Sequence, residues 1–298
     1  MPQKKFGSLD STGRKLDVIG AYLEIYQKAL SGKFEETIYV DAFAGSGEVP
    51  IGQINSGLLA DDDEARNVLV GSAVRAVEVD PPFSRYIFID KQERCIEALR
   101  QRLQGNKNYD RIEFYPGDAN ELVQVFCKRG EWKSRRGVVL LDPFGSQVAW
   151  ATVEAIAATR ALDLWYLFPA GLSVFRQISS DGRVDSTHEP SLTRIFGTVE
   201  WKSAFLRPSA QDDLFGDAPR QEKVVTAESA ANFMIDRMKS VFRGGVLDIK
   251  IPLGNKRSYP LYYLLFAWGN ESPKAKELAM KLSKAAIKIT DRKYGRSV

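Results

Sequence analysis

Residues 37–47 have the sequence Thr-Ile-Tyr-Val-Asp-Ala-Phe-Ala-Gly-Ser-Gly. β-Branched and aromatic residues dominate the first half, which predicts a buried strand that breaks at the two glycines. Similar runs occupy residues 85–90, 111–115, 137–142 and 163–168, and helical patterns separate them. Strands that alternate with helices predict a parallel sheet with helices on both faces.

The composition excludes several classes of protein. Of 298 residues, 44% are hydrophobic and 27% are charged, which is typical of a globular chain. Two cysteines, Cys95 and Cys127, and one histidine, His188, are too few for a disulfide framework, a four-cysteine zinc site or an iron–sulfur cluster. We therefore expect no bound metal. The chain lacks an apolar stretch of membrane-spanning length and a secretory signal, so we expect a cytoplasmic protein without a membrane partner.

Basic residues cluster in two parts of the chain. Lysines and arginines number 42 against 38 acidic residues, a net charge of +4. Five of them lie within 128–136 and eight within 274–298. Such clusters attract phosphates when they lie beside a cleft, and elsewhere they are solvated surface. Both interpretations stay open at this point.

Carboxylates follow four of the predicted strands, at Asp41, Asp90, Asp118 and Asp142. In an open parallel sheet, ligands bind at the carboxyl ends of the strands, so these acids and the Gly-Ser-Gly turn indicate a nucleoside cofactor. Pro50 stands where a dinucleotide fingerprint has its third glycine, and a predicted loop over residues 48–70 replaces the helix that would hold a pyrophosphate. NAD and FAD are therefore disfavoured, and S-adenosylmethionine (SAM), which has no phosphate, fits better.

The motifs DAFAGSG at 41–47 and DPFG at 142–145, together with Asp90 and Asp118, resemble those of class I SAM-dependent methyltransferases. The longer motifs YVDAFAGSG, GSAVRA, FSRYIFIDK, GDAN, LDPFG and YPLYYLLFAWGN resemble the three-Cys-motif partner protein (TcmP) family. The resemblance implies a bacterial protein, often encoded on mobile elements, with a partner protein that carries a three-cysteine motif and is encoded nearby.

The fold class implied is α/β, a Rossmann-like class I methyltransferase fold. Its mostly parallel seven-stranded sheet has helices on both faces and a C-terminal antiparallel strand pair. We expect an N-terminal helical segment (1–36) and a cofactor-binding Rossmann-like half (37–172). An insertion or lid (173–226) follows, and then a C-terminal part that completes the sheet and ends in a basic helix (227–298).

The methyltransferase resemblance also implies cofactor-binding residues. They are Asp41, Phe43, Gly45, Gly47, Asp90, Asp118 and Ala119. Asp41 would order the methionine end, the glycines would let the backbone pass the cofactor, and Asp90 would accept from the ribose hydroxyls. Asp118 and the Ala119 amide would bind the adenine edge. A helix cap for Asp118 and a salt bridge for Asp90 are the structural alternatives.

The tetrapeptide Asp142-Pro143-Phe144-Gly145 resembles the D-P-P-Y-like motif of methyltransferases that modify exocyclic amines. The resemblance implies that these four residues form the catalytic site, where Asp142 holds the amine and Phe144 stacks on the base. The alternative is a turn with Phe144 in the core. The leading hypothesis is thus a SAM-dependent methyltransferase acting on an amino group, on DNA or RNA. The alternative is a non-catalytic methyltransferase-like subunit that binds a partner protein or nucleic acid.

Overall fold

A computed structural model of the protein describes residues 7–50, 68–208, 221–254 and 260–294. The helices are α1 (Gly7–Leu30), α2 (Ser72–Val77), α3 (Glu93–Leu103), α4 (Ala119–Arg129), α5 (Trp150–Ala158), α6 (His188–Phe196), α7 (Trp201–Phe205), α8 (Ala227–Val241) and α9 (Pro273–Lys293). The strands are β1 (Glu36–Asp41), β2 (Glu48–Pro50), β3 (Val68–Val70), β4 (Arg85–Asp90), β5 (Ile112–Pro116), β6 (Arg135–Leu141), β7 (Leu162–Phe168), β8 (Leu206–Pro208), β9 (Gln221–Lys223), β10 (Gly245–Val246), β11 (Ile251–Leu253) and β12 (Tyr262–Trp268).

The central sheet has the order β5-β4-β1-β6-β7-β12-β10, and β11 also pairs with β12. Strands β5, β4, β1, β6 and β7 are parallel, whereas β12 is antiparallel to β7 and to both β10 and β11. This arrangement confirms the predicted Rossmann-like α/β fold with its C-terminal antiparallel pairing, but the sheet has eight strands where seven were expected, because both β10 and β11 pair with β12.

The sheet separates two apolar layers. Alternate residues of β1 point to opposite faces, so Ile38 and Val40 pack in one layer and Tyr39 in the other. Helices α4, α5 and α8 contribute to the first layer, and α1, α2, α3 and α9 to the second. This coverage of both faces explains why the parallel strands are almost wholly apolar.

Helices α1 and α9 pack against each other on the second face. Arg14 of α1 and Asp291 of α9 form a buried ion pair at 2.5 Å. At the same end, Lys293 Nζ donates to Asp17 Oδ2 at 2.6 Å. These pairs fix the first half of α1 beside the C-terminal end of α9.

Two segments differ from the sequence-based expectation. The apolar pattern at residues 246–253 predicts one continuous strand, but the structure divides it into β10 and β11. Val246 lies opposite Ala267 and Ile251 opposite Leu264, so this segment has two more residues than the stretch of β12 that it faces, and a continuous ladder cannot form. Of the predicted loop at 48–70, residues 51–67 lie outside the described residues, and its two ends pair as β2 and β3.

The breaker-rich composition of the expected insertion, residues 173–226, predicts irregular structure, yet its described part contains α6, α7 and the antiparallel strands β8 and β9. Leu192, Ile195 and Phe196 of α6 are buried at helical spacing, and this packing orders a segment whose flanks are polar. None of the described helices is long and apolar enough to cross a membrane.

Candidate active site at the carboxyl edge of the sheet

The parallel strands bring the predicted acids to one edge of the sheet. Asp41 ends β1, Asp90 ends the neighbouring β4, and Asp118 follows β5. Asp142 follows β6, which pairs with β1 on its other side. Because parallel strands share one carboxyl edge, the candidate cofactor and acceptor residues lie along the same rim.

Asp41 lies at the centre of this edge and is completely buried. Its Oδ2 accepts from Ser72 Oγ at 2.6 Å, and its Oδ1 accepts from the Phe43 amide at 3.3 Å. Burial raises the pKa of Asp41 to about 6, and the nearby charge of Asp142 acts in the same direction. Asp41 therefore orders the turn after β1 and the start of α2. Because both of its oxygens already accept hydrogen bonds, Asp41 would act on a ligand at the rim mainly through its negative charge.

Asp142 forms an ion pair with Lys15, which comes from α1. The two side chains are 18% and 12% exposed, so the pair is largely shielded from water. Lys15 Nζ donates to Asp142 Oδ2, and among the described residues nothing donates to Oδ1. Oδ1 of Asp142 can therefore accept a hydrogen bond from a bound substrate.

Phe144 is 85% exposed, a rare position for a phenylalanine ring. The preceding Pro143 is buried, so the turn is anchored while its aromatic ring points to solvent. Gln147 Oε1 accepts from the Phe144 amide at 3.0 Å. Phe144 therefore does not belong to the core, which removes the purely structural explanation of its side chain.

The loop after Phe144 is held by side chains from three other elements. Arg194 of α6 donates to the carbonyl oxygens of Ser146 at 2.6 Å and Gln147 at 3.2 Å. Asn120 Nδ2 donates to the same Gln147 carbonyl at 3.0 Å, and Gln177 Nε2 donates to Ser146 Oγ at 2.7 Å. Helix α6, from the expected insertion, is thus part of the support for the D-P-F-G turn.

The glycine turn has one open and one packed position. Gly45 has φ +60°, and nothing lies within 4 Å of the position that its Cβ would take. Gly47 has φ +78°, and its Cβ would lie 2.7 Å from Leu99 of α3. Gly45 thus leaves space at the rim, whereas Gly47 allows close packing of the turn against a helix.

Asp90 supports the same turn. Its Oδ2 accepts from the Gly45 amide at 3.0 Å and its Oδ1 from the Gln92 amide at 2.8 Å. Each carboxylate oxygen has two lone pairs, so both can accept one more hydrogen bond. The open space at Gly45 and the remaining lone pairs of Asp90 could accommodate ligand hydroxyl groups.

Asp118 is the N-cap of α4, and its Oδ1 accepts from the amides of Asn120 at 2.8 Å and Glu121 at 3.3 Å. Asp118 therefore caps the helix, as the structural alternative predicted, and it uses only Oδ1 to do so. Ala119, the first residue of the helix, is almost completely buried, and Phe43 is partly buried against the core.

Sequence reasoning missed Lys15, Ser72 and Tyr262. Tyr262 begins β12, which runs antiparallel, and so lies at the carboxyl edge. Burial raises the pKa of Tyr262 to about 12, and the charge of Asp142 acts in the same direction. Ser72 lies in the motif GSAVRA and Tyr262 in YPLYYLLFAWGN, but no local pattern distinguishes Lys15 from the other lysines of the chain.

A separate cavity of about 360 Å³ lies at the amino edge, where its lining includes Arg136, Asp163 and Trp268. The basic cluster at 128–136 is at this edge too. Arg135 pairs with Glu36 at 2.9 Å, and Arg136 lies 4.4 Å over the ring of Phe34. Neither feature contacts the carboxyl-edge residues, which are therefore the better candidate for chemistry.

No family model and no curated protein matches this sequence. Among solved structures, protein LPL1258 from Legionella pneumophila is 11% identical, with 93% of this chain and 92% of that chain covered and a TM-score of 0.47. A putative SAM-dependent methyltransferase from Listeria monocytogenes is 13% identical, with 86% and 100% covered and a TM-score of 0.38. Magnesium protoporphyrin IX methyltransferase from Synechocystis, solved with bound SAH, is 13% identical, with 90% and 89% covered and a TM-score of 0.38. Likenesses of this size assign no function.

Proposed function

We propose that the protein is a SAM-dependent methyltransferase that modifies an exocyclic amino group of a nucleic-acid base. The observation that supports this most is the exposed ring of Phe144, beside Asp142 on the rim that carries Gly45 and Asp90. An aromatic side chain held out from an anchored turn offers a stacking surface to an unpaired base. Its neighbour Asp142 offers a free carboxylate oxygen to the amine.

The residues divide into two groups by the partner they would hold. Asp90 and the open space at Gly45 would hold the nucleoside of SAM, with the charge of Asp41 near its ammonium group. When bound, SAM supplies a methyl group on a positively charged sulfur. Asp142 Oδ1 would accept an N–H of the amine and so orient the nitrogen lone pair. The contribution of the protein is thus orientation and charge placement.

The proposal includes a protein partner with a three-cysteine motif. Support comes from the sequence motifs that resemble the TcmP family, among them YVDAFAGSG and YPLYYLLFAWGN. The proposal includes both DNA and RNA as methyl acceptors, because an exposed aromatic ring can stack on the bases of either.

The first test is calorimetry with SAM and with NADH, in which we expect binding of SAM alone. The second incubates the protein and labelled SAM with DNA, RNA or lysate protein, with and without the three-cysteine partner. Label should enter nucleic acid with wild type and about 10²-fold or more slowly with Asp142→Ala. Binding of NADH in place of SAM would overturn the proposal. Binding of SAM without transfer to any acceptor, with the partner present, would instead support a non-catalytic subunit.

A further inference from the structure

Helix α9 presents a line of basic side chains, which we call the α9 stripe. Its members are Lys274, Lys281, Lys284, Lys288 and Arg292, and all five are exposed. At 3.6 residues per turn, these positions fall within about 80° of the helix circumference and extend over roughly 27 Å. The stripe is therefore a continuous surface on one side of the molecule.

The cations of the α9 stripe have no ion-pair partner in the part of the chain that the structure describes. The neighbouring Lys293, in contrast, pairs with Asp17 at 2.6 Å. Lys284, Lys288 and Arg292 follow one another at four-residue spacing, and like charges at that spacing destabilise a helix by about 0.2–0.5 kcal/mol per pair. Glu277 is the single acidic residue on this arc of the helix. The positive charges of the stripe repel one another and are offset by only one acidic side chain, so the stripe should attract an anionic partner.

The position of the α9 stripe relates it to the candidate site. The Arg14–Asp291 and Lys293–Asp17 pairs join the C-terminal end of α9 to α1. Lys15, on the same stretch of α1, contacts Asp142. The stripe therefore runs from the amino edge of the sheet, where α9 begins after β12, to the edge that carries the D-P-F-G turn.

We propose that the α9 stripe binds backbone phosphates of the nucleic acid whose base enters the site at Asp142 and Phe144. The inference deepens the proposed function and rests on its nucleic-acid acceptor. One strand of a duplex places a phosphate every 3.4 Å or so, so the stripe covers about eight nucleotides. The basic cluster at 128–136 is less suited to this role, because Arg135 and Arg136 are engaged within the protein at the opposite edge.

The test compares two variants with the same net charge. The first is Lys274→Ala/Lys281→Ala/Lys284→Ala/Lys288→Ala. The control is Lys107→Ala/Lys128→Ala/Arg129→Ala/Lys133→Ala, in which the four positions are also exposed. Binding of fluorescent 20-nucleotide DNA and RNA, single-stranded and duplex, is measured without SAM between 50 and 200 mM salt.

Each lost phosphate contact lowers the slope of log affinity against log salt by about 0.7–0.9. We therefore expect the stripe variant to lose about three units of slope and at least 100-fold in affinity at 50 mM salt, and the control to keep the wild-type slope. Equal slopes for the two variants would overturn the inference, as would absence of binding by wild type at 50 mM salt. Binding of a polyglutamate peptide in preference to every nucleic acid would also overturn it, in favour of an acidic protein partner.

Alanine favours helices, so the stripe variant is expected to fold. A milder Lys281→Gln/Lys288→Gln variant, expected to lose about 1.5 units of slope, provides a second measurement if it does not. The nucleic-acid assay contains no SAM, so its result does not depend on SAM binding. An error in the proposed function would instead appear in calorimetry, as absence of SAM binding by wild type.

Discussion

The ring of Phe144 allows stability and acceptor binding to be separated at a single residue. Since the side chain is 85% exposed, Phe144→Ala should change the free energy of unfolding by less than about 0.5 kcal/mol. Loss of a stacked base should weaken acceptor binding by roughly 1–3 kcal/mol. Thermal melts and binding titrations measure the two effects. The control Phe88→Ala removes a fully buried ring and should cost about 3–5 kcal/mol of stability. A comparable loss of stability in Phe144→Ala would show that the ring is structural.

The Lys15–Asp142 pair predicts non-additive effects on methyl transfer. Asp142→Ala should lower the rate by about 10²-fold or more, as happens when one preorganised polar group is removed, with SAM affinity changed only fewfold. Lys15→Ala should have a smaller effect, because the carboxylate remains but is no longer oriented by the ammonium. If Lys15 acts through Asp142, the double variant should be no slower than Asp142→Ala. A further loss in the double variant would assign Lys15 an independent role. The rates are compared under single-turnover conditions.

Asp41 predicts a pH dependence of SAM binding. Its pKa is about 6, mainly because the carboxyl group is buried. Only the ionised form attracts an ammonium group, so SAM affinity should fall as the pH drops below about 6, by up to tenfold per pH unit. Calorimetry between pH 5 and 8 measures this dependence. Asp41→Asn should bind SAM weakly and equally at every pH, and a variant as pH-dependent as wild type would assign the titration to another group.

At the scale of single elements, α4 combines a structural and a proposed binding role in Asp118. Asp118→Ala removes the cap and should cost about 1 kcal/mol of stability. Asp118→Asn keeps an oxygen that can cap α4, so its melting temperature should stay near that of wild type. If the carboxylate also binds adenine, Asp118→Asn should still lose SAM affinity. Unchanged SAM affinity in the asparagine variant would leave Asp118 as a helix cap only.

For the whole molecule, Asp163 predicts how stability changes with pH. Asp163 lies near the start of β7, at the amino edge of the sheet. It accepts from Tyr22 Oη at 2.7 Å, and burial raises its pKa to about 7. Between about pH 4 and 7 the folded protein keeps a proton that the unfolded chain has lost. The contribution of Asp163 is therefore present at low pH and declines as the pH rises through this window.

Asp163→Asn cannot ionise, so from pH 5 to 8 it should gain stability relative to wild type, by about 2–4 kcal/mol. Thermal melts at several pH values measure the difference. The exposed Asp110→Asn is the control and should follow wild type. Parallel curves for Asp163→Asn and wild type would contradict the prediction.

The α/β class, the alternation of strands and helices in the parallel part of the sheet, and the carboxylates at the strand ends could all be predicted from the amino-acid sequence. These features depend on local patterns, because residue alternation and turn residues act within a few positions. The same local reasoning failed where packing overrides composition. Helix α6 forms in a polar segment because Leu192, Ile195 and Phe196 find a core to enter, and the strand expected at 246–253 is divided.

The contacts of the site residues became visible only in the folded protein. Lys15 reaches Asp142 across 127 positions because α1 packs beside α9 and the sheet, and Arg194 reaches the acceptor loop from α6. The exposure of Phe144 could not be predicted either, since a phenylalanine after an apolar strand is equally suited to a core. Side-chain contacts between distant segments depend on the packing of whole elements, and a pattern that repeats every two or four residues contains no information about that distance.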